Sequence, residues 1–362
     1  MRRYDEAFLT YFFLSTTQGF ITIMSSTTTN NNLRHWQLTA DGLQHLSLGE
    51  SPIPQPGPRQ ILVRVEAASL NYRDLMLAEG RYLKAASHPY VPASDMAGIV
   101  QAVGSEVRRW RGGERVVASF LTNWISGSAP EQSESLGMPG PGMLATHVLV
   151  DEDWLVAAPT HLSAAQAATL PCAAVTAWHA LIEQGGLQSG QTVLVHGTGG
   201  VALFGVQFAL MQGAQVIVVT GSQDKREQVA RLGAQHVLDR QADWPAEVQR
   251  ITEGRGVNHV LETVGGSNLA ASLQVIANDG TVSFIGVQDG ADIAGSAFDI
   301  IRRRAVIRGI SVGPRSSLEN MVQAIDAARL QPVIAAEYGF EDAPKAFAHL
   351  QRGPFGKVVI RM

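Results

Sequence analysis

A glycine-rich stretch near the middle of the chain has the residue types and spacing that bind phosphate groups. Gly197, Gly199 and Ala202 follow the pattern Gly-x-Gly-x-x-Ala, after an apolar run typical of a buried strand and before a helical run. The first glycine allows a tight turn, the second lets the backbone approach a pyrophosphate, and the small alanine lets helix and strand pack closely. The first turn of the helix adds free N–H groups and the positive end of a dipole. The sequence therefore predicts a dinucleotide-binding loop made of Gly197, Thr198, Gly199, Gly200 and Val201.

The residues after the next predicted strand distinguish between two dinucleotides. A site for NAD has an acidic residue about 20 positions after the loop, which bonds the ribose 2′-hydroxyl. Here the strand over residues 216–219 runs into Thr220-Gly221-Ser222-Gln223, which contains no carboxylate, and Lys225 follows. Ser222 and Lys225 are therefore predicted to hold a 2′-phosphate by charge-assisted hydrogen bonds, which favours NADP(H). The alternative is that Lys225 and Arg226 are solvated helix residues.

Strands and helices are predicted to alternate around this loop. The predicted strands span residues 192–196, 216–219, 257–262, 281–287 and 305–312, and the predicted helices span residues 201–212, 224–232, 268–276 and 318–329. This alternation is typical of a doubly wound parallel sheet of the α/β class. An earlier helix is expected to begin after Ser163 and to end or kink at Pro171, because proline lacks a backbone N–H.

The first third of the chain has a different pattern. Short β-rich runs between glycine and proline turns over residues 36–118 predict a small barrel. Residues 119–143 are rich in Gly, Pro and Ser with little periodicity, and they predict a long surface loop. The terminal strand over residues 357–361 has no helix after it, so we assign it back to the barrel domain. The predicted domains are an N-terminal tail (residues 1–32), the barrel domain (33–160 with 331–362) and the dinucleotide-binding domain (161–330).

The N-terminal tail contains two places at which translation of the protein could begin. A basic start followed by an apolar run over residues 7–14 resembles a short export signal, but Asp5 and Glu6 interrupt it and no clean cleavage site follows. The polar stretch over residues 24–32, which begins with Met24, resembles the N-terminus of a shorter protein. We expect an over-called start codon, with Met24 as the first residue; a disordered tail or a weak export signal are the alternatives.

Length and composition indicate a globular protein and argue against a nucleic-acid-binding or membrane protein. A length of 362 residues suits two domains, and 45% hydrophobic with 17% charged residues is typical of a globular protein. The formal net charge is −4, and no long basic run is present, which argues against nucleic acid as a partner. No apolar stretch reaches the roughly 18–20 residues that span a bilayer, so no membrane association is expected. Cys172 is the single cysteine, which fits a reducing, cytoplasmic compartment.

Seven motifs in a fixed order cover most of the chain. They are Pro56–Val63, Leu70–Asp74, Asp95–Gly98, Gly113–Val116, Leu170–Ala177, the glycine loop and Phe355–Val359. Over about residues 33–362 the chain thereby resembles the medium-chain dehydrogenase/reductase superfamily, in its zinc-free, quinone-oxidoreductase-like branch. The resemblance implies a GroES-like β-barrel domain formed by both chain ends around a Rossmann domain, with the active site in the cleft between them. It also implies a homodimer, formed by pairing late edge strands such as residues 305–312.

The resemblance bears on metal binding as well. Zinc-dependent relatives carry three catalytic ligands, and Asn71, Ser94 and Cys172 stand at the matching places in this sequence. A catalytic zinc needs about three ligands drawn from His, Cys, Asp and Glu, so this set predicts no metal. Residues 119–143 contain no cysteine for the structural zinc lobe of those relatives. We expect Cys172 to be a small buried residue beside the cofactor.

The family's pattern also suggests the remaining site residues. Asn71, Tyr72 and Tyr82 are expected to face the cleft as catalytic candidates, and Thr176, Gly286 and Lys357 to contact the cofactor. A metal-free site stabilises developing negative charge through hydrogen bonds, which favours activated acceptors. Three functions remain open at this stage. They are an oxidoreductase that uses NADPH with a small carbonyl, enone or quinone, an alcohol dehydrogenase that acts without metal, and a non-catalytic NADPH-binding protein.

Overall fold

The computed structural model describes residues 32–82 and 89–362. Its strands are β1 (Asn32–Leu38), β2 (Leu46–Pro52), β3 (Gln60–Leu70), β4 (Asp95–Val103), β5 (Arg115–Ala118), β6 (His147–Asp151), β7 (Leu155–Ala157), β8 (Thr192–His196), β9 (Gln215–Thr220), β10 (His236–Asp239), β11 (Val257–Glu262), β12 (Ile276–Phe284), β13 (Val306–Gly309), β14 (Ile334–Gly339) and β15 (Lys357–Arg361). Its helices are α1 (Tyr72–Ala78), α2 (Ala164–Ala167), α3 (Val175–Trp178), α4 (Gly200–Met211), α5 (Gln223–Arg231), α6 (Trp244–Ile251), α7 (Asn268–Val275), α8 (Ala297–Arg303), α9 (Arg315–Ala328) and α10 (Ala343–Gln351). Within these two described ranges, no helix is long and apolar enough to cross a membrane. The tail predicted over residues 1–32 lies outside the described residues, apart from residue 32.

A mixed sheet combines strands from the two ends of the described chain. Its order is β14-β15-β3-β4-β5-β7, and β6 also pairs with β3. β3 is central because Ile61, Val63 and Val65 alternate along it and pack into one apolar core. β15 pairs antiparallel with β3, where Val358 lies opposite Leu70. The C-terminal strand therefore returns to the barrel sheet, as its lack of a following helix predicted.

The second sheet of the described chain is parallel throughout, in the order β10-β9-β8-β11-β12-β13. Its inner strands are apolar because helices cover both faces of such a sheet. β8 and β11 have the predicted bounds, and β9 is one residue longer at each end than predicted. The predicted fold class, a doubly wound parallel sheet with a β-barrel domain, is confirmed.

Two predicted strands have different bounds in the structure. β12 begins at Ile276 rather than at residue 281, because its register against β11 shifts around Asp279, which has a φ of 61°. The Asn-Asp-Gly sequence at this point resembles a turn, so the pattern suggested a later start. β13 is shorter than the predicted strand over residues 305–312. The sequence did not predict several short elements, among them β10, α6, β14 and α10, which are four to nine residues long.

A kinked helical segment follows Ser163. The Ser163 Oγ accepts a hydrogen bond from the Gln166 N–H at 3.2 Å, which caps α2 as predicted. Of the two outcomes expected at Pro171, the structure has a kink, because helical backbone continues through wide π turns at Leu170–Ala174 and His179–Glu183. Such turns accommodate a missing N–H donor without ending the helix.

The prediction of a surface loop over residues 119–143 is correct for the middle of the segment and wrong for both ends. Residues 125–129 and 131–134 are exposed. Leu136 and Met143 are completely buried, and Phe120 is nearly so. Arg73 of α1 donates hydrogen bonds to the Ser135 Oγ at 2.8 Å and to the Leu136 carbonyl at 3.1 Å. The segment is irregular, as predicted, and the Arg73 guanidinium satisfies polar groups in its buried part around residues 135–138.

β13 forms one edge of the parallel sheet and carries exposed apolar side chains. Val306 and Ile307 are exposed on the strand, and on α8 the exposed fractions of Phe298 and Ile301 are 84% and 73%. An apolar sheet edge of this kind readily pairs with another strand. We propose that it pairs with the same edge of a second copy, giving the homodimer expected from the resemblance.

The change Phe298→Asp should convert this dimer to a monomer, because an unpaired buried charge costs several kcal/mol. Sedimentation velocity at micromolar concentration measures the mass. Leu48→Asp, at an exposed leucine of β2, is the matched control and should leave the mass unchanged. A wild-type protein that sediments as a single chain contradicts the proposal.

Candidate active site

The glycine loop connects the end of β8 with the start of α4. Gly197 has a φ of 82°, a left-handed conformation that favours glycine, and its N–H donates to the Val219 carbonyl at 2.9 Å. Thr263, after β11, donates its hydroxyl to the His196 carbonyl at 2.5 Å. The loop is thus held from the strands on both sides of β8. No atom lies within 4 Å of the place where a Cβ of Gly199 would stand, so its backbone is open to a ligand.

A cavity of about 1900 Å³ lies beside this loop. The predicted site residues that line it are Asn71, Tyr72, Tyr82, Gly197, Thr198, Gly199, Gly200, Val201, Ser222, Lys225, Gly286 and Lys357. Thr176 is not among the lining residues, because it is buried within its helix and its hydroxyl donates to the Cys172 carbonyl at 2.7 Å. The structure therefore places all but one of the predicted residues on a common cavity.

The wall after β9 carries the groups predicted to bind a phosphate. Ser222 caps α5, and its Oγ accepts a long hydrogen bond of 3.4 Å from the Lys225 N–H. The Lys225 ammonium donates to the Gly353 carbonyl at 2.5 Å, and partial burial lowers the pKa of Lys225. Arg226 points elsewhere, since it forms an ion pair with Asp239 at 2.8 Å. Lys225, but not Arg226, lines the cavity.

Arg240 lines the same wall and was not predicted. It follows β10 directly, and its guanidinium lies beside Gly221: a Cβ at Gly221 would be 3.8 Å from the Arg240 Nε. The available signal was an arginine at the end of the third strand of the parallel sheet. It went unused because β10 is only four residues long and was itself not predicted.

The wall at the end of β11 is held by a buried carboxylate. Glu262 accepts hydrogen bonds from the Val264 N–H at 3.0 Å, the Gly265 N–H at 3.1 Å and the Asn268 Nδ2 at 2.7 Å. A Cβ at Gly286 would lie 1.7 Å from the Thr263 carbonyl oxygen, so the two strand ends approach too closely for any larger residue. The role of Gly286 is therefore to permit this approach beside the cavity. The pattern of the sequence did not single out Glu262.

A group of polar side chains lies where the end of β3 meets β15. The buried Lys357 ammonium donates to the Leu70 carbonyl at 2.7 Å and to the Asn71 Oδ1 at 2.6 Å. It lies 3.8 Å from the Asp95 carboxylate. The Asn71 Nδ2 donates to the Ser94 Oγ at 3.3 Å, and Ser94 donates to Asp95 at 2.8 Å. The Lys357 ammonium thus has partners in the barrel domain, while its aliphatic stem lies against Gly200.

These residues do not fit a catalytic zinc. Asn71 and Ser94 are neutral oxygen donors, and both are already bonded within the polar group. Cys172 is the one residue of the three whose side chain belongs to the usual zinc ligands, and one such ligand cannot hold the metal. The ammonium of Lys357 is a fixed cation among the same side chains and would repel a second cation. In the two described ranges, no group of three or more His, Cys, Asp and Glu side chains is arranged to hold a metal ion.

Two exposed tyrosines, Tyr72 and Tyr82, line the cavity together with Asn71. Tyr72 begins α1, and the exposed fraction of Tyr82 is 50%. The Arg73 guanidinium stacks 5.4 Å from the Tyr82 ring centroid and 5.1 Å from that of Phe120. Asn71 itself is held through its backbone, since its N–H donates to the Asp74 carboxylate at 2.8 Å. Burial raises the pKa of Asp74 to about 6.

The far wall of the cavity contains a histidine–carboxylate pair that sequence reasoning missed. The His179 Nδ1 lies 2.9 Å from Glu183, one helical turn away, and Ser317 and Trp178 also donate to Glu183. Although burial raises it, these hydrogen bonds lower the pKa of Glu183 to about 2. Both His179 and Glu183 line the cavity. Their four-residue spacing was the available signal, but only the π turn and α9 bring Ser317 to them.

Comparisons with known proteins agree with this architecture. An alcohol dehydrogenase GroES-like domain matches residues 57–160, and a zinc-binding dehydrogenase domain matches residues 200–327. A zinc-type alcohol dehydrogenase-like protein of Schizosaccharomyces pombe is 37% identical over 333 residues, which are 89% of this chain and 96% of that protein. The chain belongs to the medium-chain dehydrogenase/reductase superfamily. The superfamily predicted from the ordered motifs is therefore confirmed.

Solved structures of this superfamily share the fold across nearly the whole chain. A putative alcohol dehydrogenase from Sinorhizobium meliloti 1021 is 45% identical with a TM-score of 0.89, covering 92% of this chain and 99% of that one. An NAD-dependent alcohol dehydrogenase is 28% identical with a TM-score of 0.83, covering 91% and 99%. The protein is thus an alcohol dehydrogenase-like oxidoreductase. The matched zinc-binding dehydrogenase domain includes none of Asn71, Ser94 and Cys172, so its name says nothing about those positions.

Proposed function

We propose that this dehydrogenase/reductase transfers a hydride between NADPH and a small carbonyl, enone or quinone without a zinc ion. The observation that carries the proposal is the single cavity that reaches from the glycine loop to Asn71, Tyr72 and Tyr82. A bound nicotinamide supplies the hydride, so the protein has to supply orientation and charge stabilisation. The residues on the two sides of the cavity have the chemistry for these two tasks.

The preference for NADPH rests on the wall after β9. Thr220, Gly221 and Ser222 offer no carboxylate to repel a 2′-phosphate, and Lys225 and Arg240 contribute two cations along the same wall. Arginine and lysine bind phosphate through charge-assisted hydrogen bonds. An NAD-dependent alcohol dehydrogenase shares this fold, so the choice between cofactors has to be argued from the residues of this chain.

Hydrogen-bond donors on the barrel-domain side of the cavity would stabilise the substrate oxygen. Negative charge develops on this oxygen as the hydride adds to the acceptor, and each well-placed donor stabilises it by roughly 3–4 kcal/mol. Asn71 and Tyr82 line the cavity and carry such donors. Enones and quinones delocalise the added charge, so they need less stabilisation than simple ketones do. This is why they are the favoured substrates of a site that does not fit zinc.

A second candidate is an alcohol dehydrogenase that acts without metal. The names of the relatives favour an alcohol as the substrate, since the Sinorhizobium meliloti protein is a putative alcohol dehydrogenase and the Schizosaccharomyces pombe protein is zinc-type alcohol dehydrogenase-like. The absence of metal is argued from the donor set of this chain alone. Oxidation of an alcohol is the reverse of carbonyl reduction, and the same donors would then hold the alcohol oxygen.

We also propose a cellular location and binding partners for this protein. We place the protein in the reducing environment of the cytoplasm because it has a single cysteine. Its partners are a small-molecule substrate and a second copy of itself, without nucleic acid or membrane, in agreement with its net charge of −4.

The purified protein should oxidise NADPH with at least one member of a panel of enones, quinones and aldehydes. The activity should survive a strong chelator, because the donor set at Asn71, Ser94 and Cys172 does not fit zinc. Loss of NADPH absorbance follows the reaction, and elemental analysis follows the metal. Stoichiometric zinc whose removal abolishes activity contradicts the proposal. Reduction of NADP by alcohols alone would favour the second candidate. Binding of NADPH without either reaction would indicate a non-catalytic NADPH-binding protein.

The change Tyr82→Phe should lower kcat by roughly 10²-fold while the Kd for NADPH stays nearly unchanged. It removes one hydrogen-bond donor but keeps the ring that packs on Arg73. Steady-state kinetics gives kcat, and fluorescence titration gives Kd. Tyr338→Phe is the matched control, because the Tyr338 hydroxyl bonds to His349 outside the cavity. A change in kcat of only a few-fold at Tyr82 would assign its ring to packing alone.

NADPH should bind at least about tenfold more tightly than NADH, a difference of roughly 1.4 kcal/mol. Lys225→Glu should abolish this preference, because a carboxylate at that place repels the 2′-phosphate. Calorimetric titration with both cofactors measures it. Lys345→Glu, at an exposed lysine of α10, should leave the preference intact. Equal dissociation constants for the unmodified protein would refute the assignment.

A further inference from the structure

Four buried side chains next to the cavity form a closed circuit of polar contacts. The Lys357 ammonium donates to the Asn71 Oδ1 at 2.6 Å, and the Asn71 Nδ2 donates to the Ser94 Oγ at 3.3 Å. Ser94 donates its hydroxyl to the Asp95 Oδ1 at 2.8 Å, and the Asp95 Oδ2 lies 3.8 Å from the Lys357 ammonium. All four residues are less than one-tenth exposed, so water does not compete strongly for these contacts.

The direction of every hydrogen bond in this circuit is fixed by chemistry. An ammonium only donates, so Lys357 has to meet the amide oxygen of Asn71, and the Ser94 hydroxyl donates to the Asp95 carboxyl. The Ser94 oxygen therefore accepts from the Asn71 Nδ2. A flipped Asn71 amide would place its NH₂ group against the ammonium. One Nδ2 proton is used in the bond to Ser94. Asn71 lines the cavity, so a substrate oxygen there can compete with the neighbouring Asp95 carboxyl for the other proton.

We propose that Lys357 is a positioning residue, whose ammonium fixes the Asn71 amide so that an Nδ2 proton is presented to the substrate oxygen. The inference rests on the proposed function in one respect, namely that Asn71 donates to this oxygen. Lys357 acts through Asn71 and does not have to touch the substrate.

Lys357 also connects this donor with the glycine loop. A Cβ at Gly200 would lie 2.5 Å from the Lys357 Cδ, so the aliphatic stem lies directly against the first residue of α4. The preceding Gly356 N–H donates to the Thr198 carbonyl at 3.0 Å. The residue that orients the substrate donor is therefore held against the loop that binds the dinucleotide, which keeps the two reactants in register.

A double-mutant cycle in kcat tests this role. Lys357→Met, which keeps the stem and removes the charge, should lower kcat by roughly tenfold or more at saturating NADPH. In an Asn71→Ala background the same change should have almost no further effect, because the lysine acts through the amide that is already gone. Lys345→Met is the matched control and should leave kcat unchanged. Independent, multiplicative losses in the double variant would overturn the proposal, as would an unchanged kcat with a weaker Kd for NADPH.

A second readout does not depend on activity. In ¹⁵N-labelled protein without ligands, the side-chain amide signal of Asn71, assigned by its loss in Asn71→Ala, should exchange its protons slowly. Lys357→Met should accelerate this exchange at least about tenfold, because nothing then holds the amide oxygen. Exchange that is equally slow in the variant contradicts the proposal, whatever the enzyme does.

Chemical rescue of a cysteine variant tests the proposal even if Lys357→Met fails to fold. Lys357→Cys in a Cys172→Ala background can be aminoethylated, which rebuilds an ammonium on a side chain of nearly the same length. Restored slow exchange and restored kcat, compared with the unalkylated protein, support the proposal, and their absence in folded alkylated protein overturns it. If wild-type protein reduces no acceptor, the proposed function fails, while the exchange measurement still decides whether Lys357 orients Asn71.

Discussion

The contact between residues 355–357 and the glycine loop is the constraint on which the rest of the site depends. Gly356 has a φ of 92°, and a Cβ there would lie 2.4 Å from the Val333 carbonyl oxygen, so only glycine fits. Its N–H donates to Thr198, and from the next residue the chain enters the barrel sheet beside β3. Within two residues the backbone thus joins the parallel sheet to the mixed sheet. The glycine loop and the end of β3 then face the same cavity.

Burial of charge around this cavity explains why its walls keep their shape. Removing an ion from water costs several kcal/mol unless partners replace the lost solvation. Glu262 and Glu183 each accept several hydrogen bonds, and Asp95 lies beside the Lys357 ammonium. Each carboxylate holds a turn or a neighbouring helix in place through these bonds. The exposed groups, Tyr82 above all, stand in front of this rigid frame and are the ones free to meet a substrate.

The elements that local pattern predicts best are those buried on both faces. β8, β11 and β15 have the predicted bounds because a short run of apolar β-branched residues ends at clear turns. β10 is a half-buried edge strand of four residues, which leaves no periodic signal, and Arg240 was missed with it. Residues 119–143 show the limit of composition. Their glycines and prolines predicted irregular backbone correctly, but only Arg73 and the barrel core decide that residues 135–138 are buried.

The sequence by itself determined the glycine loop and the turn Thr220–Gln223 after β9, which has no acidic residue. These depend on residue type and on spacings of a few positions, which short-range geometry interprets directly. The expectation of no zinc came instead from the resemblance, which matched Asn71, Ser94 and Cys172 to the family's ligand positions. The tertiary structure decided which side chains are free. Thr176 proved to be bonded to its own helix, Arg226 to Asp239, and Asn71 to a lysine 286 positions away. No local pattern encodes that last contact, because only the pairing of β15 with β3 brings the two residues together.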